Sequence, residues 1–115
     1  MMPAHTNSIA ADLIFVSGQQ RGRRVRLDAP RCLIGREFDC HLQIEADQVS
    51  LHHAAVLLDT YAIRVRDLGS LTGTYVNGGK ISGTYSLQHG DRVRIGETTL
   101  LLQAPGLAMS VESLH

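Results

Sequence analysis

Three segments of the chain alternate apolar and charged side chains: Arg24-Val25-Arg26-Leu27, Tyr61-Ala62-Ile63-Arg64-Val65-Arg66 and Arg92-Val93-Arg94-Ile95. A period of two puts one set of side chains in a core and the other in water, so each segment predicts a strand. Leu13–Val16, Arg31–Ile34, His53–Leu58 and Thr98–Gln103 are apolar or β-branched runs of strand length. Turn signals fall between them at Ser17-Gly18, Asp28-Ala29-Pro30, Gly69-Ser70, Asn77-Gly78-Gly79, His89-Gly90-Asp91 and Gly96-Glu97. Asn77-Gly78 is the sharpest of these, because both residues tolerate the positive φ of a type I′ hairpin. No helical period competes, except for a turn's worth in the tail. Short strands, frequent turns and no intervening helices predict an all-β fold, an antiparallel sandwich or barrel.

The chain is long enough for one domain that folds without staples, at 115 residues. Residues 11–104 carry the strand pattern, and 1–10 and 105–115 read as flexible ends. Eleven basic residues balance eleven acidic ones, so bulk attraction to nucleic acid or an anionic membrane is not expected. The arginines at 21, 23, 24 and 26 are explained by a solvated strand face, and the few aromatics give no stacking platform for bases. No run approaches the ~20 apolar residues of a membrane span. Ile9–Val16 is too short, and too broken by Asp12, to be a signal peptide. Cys32 and Cys40 make no disulfide framework, and a bond between them is permitted but not required. A cytoplasmic protein is the expectation.

The loops between strands carry the chemistry. Gly35 lets the chain leave the apolar strand Cys32-Leu33-Ile34, and Arg36 then offers a planar fork of donors at the edge. Such a fork holds a phosphate bidentately, although Arg36 could equally pair with Glu37 or Asp39. Ser50 follows a polar loop, where it can donate its hydroxyl and N–H to an anion or cap its own turn. His53 heads a strand and is expected to face inward with Ala55 and Leu57, bonding loop carbonyls. Asp67–Thr74 is a long turn whose glycines permit close backbone approach.

In order, Gly35-Arg36, Ser50, His53, Ser70, Gly73-Thr74, Val76-Asn77-Gly78 and Gly90-Asp91 resemble the motif set of the forkhead-associated (FHA) domain. That family reads phosphothreonine peptides. The resemblance covers roughly residues 11–104 and implies a β-sandwich of about eleven strands in two sheets, with peptide bound by loops at one end. It assigns the phosphate to Arg36 and Ser50, with Leu51, His52, Leu71 and Thr72 around the peptide. Gly35, His53, Gly73 and Asn77 would support the loops. The implied function is an adaptor for a phosphorylated protein or a Ser/Thr kinase substrate, with no cofactor and no catalysis.

Three positions depart from the family pattern. Leu51 replaces a polar residue, Leu71 stands where a small hydroxyl residue is common, and Thr72 replaces the asparagine that grips the peptide backbone. One hydroxyl on a short arm cannot reproduce a two-ended amide contact. An alternative function follows: a degenerate FHA domain that uses Leu51 and Leu71 as an apolar lip for phosphorylation-independent contacts. His52 could add a donor near a phosphate dianion, or simply face solvent. Cys40-His41 and His52-His53 invite an enzyme or metal reading. Sequence neighbours on a strand face opposite ways, however, and neither zinc spacing nor a nucleophile motif accompanies them.

Overall fold

A computed structural model describes residues 10–107. Eleven strands run through these residues: β1 Asp12–Phe15, β2 Arg24–Arg26, β3 Arg31–Gly35, β4 Leu42–Gln43, β5 Ala54–Leu58, β6 Ile63–Asp67, β7 Thr74–Val76, β8 Gly79–Lys80, β9 Thr84–Leu87, β10 Arg92–Ile95 and β11 Thr98–Gln103. They form two sheets, a six-stranded one ordered β2-β1-β11-β10-β7-β8 and a five-stranded one ordered β4-β3-β5-β6-β9. Of the sandwich or barrel expected from the alternation, the fold is the two-sheet sandwich that the resemblance implies. One pairing is not antiparallel. The β3–β4 loop returns the chain to run beside β3 in the same direction, pairing Ile34 with Leu42 and Gly35 with Gln43.

The alternation sorts side chains as its period requires. Leu13, Phe15, Val93, Ile95, Leu100 and Leu102 face inward from the first sheet, and Ile34, Val56, Ile63 and Val65 meet them from the second. Each fully buried side chain of this size contributes about 1.5–3 kcal/mol by leaving water. Packing continues past residue 104, since Leu107 donates its N–H to Ala104 and joins the core. The expectation of flexible ends over 1–9 and 108–115 lies outside the described residues. Among the described residues, no helix is long and apolar enough to cross a membrane.

Asn77 (φ 51°) and Gly78 (φ 88°) form the two-residue turn between β7 and β8. Both central residues have positive φ, as a type I′ turn demands. The Asn77 side chain accepts from the N–H of Arg92 at 2.9 Å and donates to Asp91 at 3.0 Å. Asp91 also accepts from the N–H of Gln88 at 2.8 Å. The Asn-Gly and Gly-Asp signals are thus two halves of one brace. Cys32 and Cys40 are both buried free thiols, with no bond between them.

Candidate functional site

Strand directions bring the β3–β4, β4–β5, β6–β7 and β10–β11 loops to one end of the sandwich. β3 ends there at Gly35. A Cβ added to Gly35 would sit 2.1 Å from the Leu51 carbonyl oxygen and 2.9 Å from Cys40 Sγ. Glycine is therefore required by backbone approach, not by an unusual turn, and its φ is not positive. The approach is held by two bonds: Arg36 N–H donates to the Ser50 carbonyl at 3.0 Å, and Glu37 N–H to that of Leu51 at 3.2 Å.

Arg36 is exposed, and its Nε donates to the Val49 carbonyl at 2.9 Å. No carboxylate pairs with it among the described residues, so Glu37 and Asp39 do not neutralise the fork. Asp39 instead meets His52 Nε2 at 3.1 Å. His52 is thus an exposed loop residue with a carboxylate partner. Cys40 Sγ lies close by and donates to the Leu51 carbonyl at 3.3 Å. Burial pushes the Cys40 thiol above its ordinary value, keeping it protonated and a donor. Asp39, Cys40 and His52 lie within 4.8 Å of one another. The sequence pairs Cys40-His41 and His52-His53 each contribute one member to that cluster.

Ser50 is half-buried, and its Oγ accepts the Leu71 N–H at 3.0 Å. Its own N–H donates to His53 Nδ1 at 3.1 Å. The backbone donor expected to serve an anion is thereby consumed, and the hydroxyl proton is what Ser50 has left to give. His53 is fully buried and donates from Nε2 to the Gly73 carbonyl at 2.8 Å. One ring thus joins the β4–β5 loop to the β6–β7 loop. The inward face of β5 is not the expected one: Ala54 and Val56 pack in the core, whereas Leu57 is only half-buried. His53 precedes the ladder, so covering loops rather than strand alternation decide its direction.

Asp67, which no motif reading singled out, organises the β6–β7 loop. Its carboxylate accepts from Gly69 N–H at 3.0 Å, Ser70 N–H at 3.1 Å, Ser70 Oγ at 2.5 Å and Thr74 Oγ1 at 2.7 Å. Burial alone would raise its pKa, but the donors from Ser70, Thr74 and Gly69 outweigh it and hold the carboxyl below the ordinary 3.8. Ser70 Oγ in turn accepts from Gly73 N–H at 3.0 Å. The available signal was an aspartate two residues before a glycine, the pattern of a side chain closing a turn on its own backbone.

Thr72 does not offer its hydroxyl proton outward. It donates to the Gln48 carbonyl at 2.7 Å, tying the β6–β7 loop to the β4–β5 loop. Leu71 is 91% exposed, Leu51 48% and Phe38 83%. The structure therefore gathers Gly35, Arg36, Ser50, Leu51, His52, His53, Leu71, Thr72 and Gly73 at one end. Asn77 is not among them. It lies beyond the far end of β7 and braces the turn before β10 (Asn77 N–H to Arg92 carbonyl, 2.8 Å).

The family model for the FHA domain matches residues 32–96. The chain is 34% identical over 91 residues to the FHA domain-containing protein FhaB of Mycobacterium tuberculosis, covering 79% of this chain and 59% of that protein. It is 36% identical over 92 residues to the glycogen accumulation regulator GarA of Mycolicibacterium smegmatis, covering 80% and 58%. It thus spans less than two-thirds of the length of these curated relatives. A solved structure described for phosphothreonine-dependent FHA domain interactions superposes with a TM-score of 0.75 at 26% identity, covering 82% of this chain and 95% of that one. This chain belongs to the FHA domain family.

Proposed function

We propose that this FHA domain is a non-catalytic adaptor that binds a phosphothreonine-containing segment of a partner protein at the loop end. The observation that carries the reading is Arg36, exposed and without a carboxylate partner among the described residues, on a loop whose Arg36 and Glu37 N–H groups bond the loop that bears Ser50. Two loops are held in register before any ligand arrives, which removes ordering cost from binding. Arg36 supplies charge-assisted donors to the phosphate and Ser50 its hydroxyl proton. His53, Asp67 and Ser70 hold the loops, while Leu51, Leu71 and Thr72 border the peptide. The likeness to a domain described for phosphothreonine-dependent interactions supports the same ligand class here. The partner is then the substrate of a Ser/Thr kinase, and the setting is cytoplasmic.

Binding of a degenerate phosphothreonine peptide library, beside its unphosphorylated twin, tests this. Losing one partner of a hydrogen-bonded charge pair costs about 2–5 kcal/mol, so Arg36→Ala is expected to weaken binding at least about thirtyfold. Ser50→Ala is expected to cost less. The exposure of Phe38, Leu51 and Leu71 favours a second reading, a contact made by the apolar rim without phosphate. Binding indifferent to phosphate and to Arg36, but lost in Leu71→Ser, would replace the first reading with the second.

A further inference from the structure

The balanced net charge conceals a strong asymmetry. On the six-stranded sheet, Asp12 pairs with Arg26 and Ile14 with Arg24, while Tyr75 lies opposite both Arg94 and Lys80. Their neighbours Leu13, Val93, Ile95 and Val76 fill the core, so strand alternation turns Arg24, Arg26, Lys80, Arg92 and Arg94 outward. Five of the chain's 11 cations thus share one sheet face. The only carboxylate among that face's strand residues is Asp12, bonded to Arg24 at 2.7 Å and to Arg26 at 2.5 Å. By contrast, the β3–β4 and β4–β5 loops carry Glu37, Asp39, Glu45 and Asp47 around the single arginine Arg36.

The basic face meets the phosphate end. A Cβ on Gly73 would sit 2.9 Å from Lys80 Cε and 3.3 Å from Tyr75 Cε1, so the Lys80 stem lies over the residue next to Thr72. Arg94 stacks on Tyr75 at 4.1 Å and donates to the Gly96 carbonyl at 2.9 Å. Cationic side chains therefore extend from Lys80, beside the β6–β7 loop, across the outer sheet, while the acidic ones sit in the β3–β4 and β4–β5 loops.

Resting on the phosphothreonine reading, we infer that this face receives an acidic segment of the partner that runs on from the phosphothreonine. Charge complementarity favours acidic side chains here and disfavours them over Glu37 and Asp39, which sets the direction of the bound chain. A polypeptide fits better than a nucleic acid, because Tyr75 is this face's one aromatic and Arg94 already covers it. Lys80 and Arg92 are the residues to reverse, being exposed and free of side-chain partners among the described residues.

The test measures anisotropy with the full chain and phosphothreonine peptides extended, on either side, by four glutamates or four serines. Unphosphorylated versions and a duplex oligonucleotide complete the set. A glutamate extension on one side is expected to tighten binding roughly tenfold at low salt, as several exposed charge pairs acting together would. The gain should shrink as salt rises and vanish in Lys80→Glu/Arg92→Glu, while Arg36→Ala weakens both phosphopeptides and leaves their ratio intact. Equal affinities, or a gain that survives charge reversal, would overturn the inference and leave phosphothreonine binding standing. A glutamate preference that persists without phosphate and without Arg36 would keep the acidic partner and overturn the phosphothreonine reading. Tighter binding of the duplex than of any glutamate peptide overturns the choice of a polypeptide.

Discussion

At the scale of single residues, the loop end is held by close backbone approach and by hydrogen bonds among its own loops. Gly35 is fixed by a carbonyl 2.1 Å from where its Cβ would be. Gly35→Ala must push the Leu51 backbone outward. A loss of about 1–3 kcal/mol is expected in denaturant melts, with weaker phosphopeptide binding by the folded fraction. Asp67→Asn removes charge from an acceptor of four hydrogen bonds and should cost about 1.5–3 kcal/mol. Because the folded-state pKa of Asp67 is lowered, its stabilisation is full above the ordinary 3.8 and is lost as pH falls through the folded value. Acid titration of stability should therefore be shallower in the variant. Thr72→Asn restores an amide with two ends. One added neutral hydrogen bond predicts up to about tenfold tighter phosphopeptide binding by calorimetry. No gain there would mean that the Thr72–Gln48 tie matters more than the peptide contact.

At the scale of elements, β7 separates two devices that the sequence presents as one continuous motif. Its N-terminal end carries Gly73, bonded to His53, and its C-terminal end carries Asn77, bonded to Asp91 and Arg92. Asn77→Ala loses both side-chain bonds and a residue suited to positive φ, so a stability loss of about 1–3 kcal/mol is expected. Phosphopeptide affinity at a temperature where the variant is folded should be unchanged. A large affinity loss would show that the brace transmits along β7. Strand periodicity located β1, β2, β3, β5, β6, β10 and β11 to within a residue or two. It missed β4, β7, β8 and β9; of these, β4 and β8 have two residues each, too few for a period, and β9 exposes three of its four residues.

For the molecule as a whole, the sandwich buries groups that tie its stability to pH at the alkaline end too. Burial, aided by the charge of Asp28, pushes the Cys32 thiol from 9.0 up to about 11. A raised folded-state value means full stability below pH 9.0 and progressive loss as pH rises toward about 11. Cys32→Ala should lose less stability over that interval in pH-dependent denaturant melts, whatever its stability at neutral pH. Identical slopes for the two proteins would show that Cys32 does not titrate in the folded state. Asp12 acts in the acid range, its carboxyl held low chiefly by Arg26, so the outer basic face also loses its internal counter-charge at low pH.

The sequence by itself determined the all-β class, most strands and the Asn77-Gly78 turn. These depend on local periodicity and on φ preferences, which a few neighbouring residues carry. Only the tertiary structure decided that Gly35 answers to the Leu51 carbonyl and that Ser50 spends its N–H on His53. It likewise decided that Thr72 turns its hydroxyl to Gln48 and that Asp67 gathers the β6–β7 loop. The placing of five cations on one sheet face also depends on strand order, which sets β2 at one edge of the six-stranded sheet, β8 at the other and β10 between them, from segments up to 71 residues apart in the chain, Arg24 to Ile95. Hydrogen-bond partners and shared faces are set by which strands become neighbours, and that is a property of the whole fold rather than of any segment.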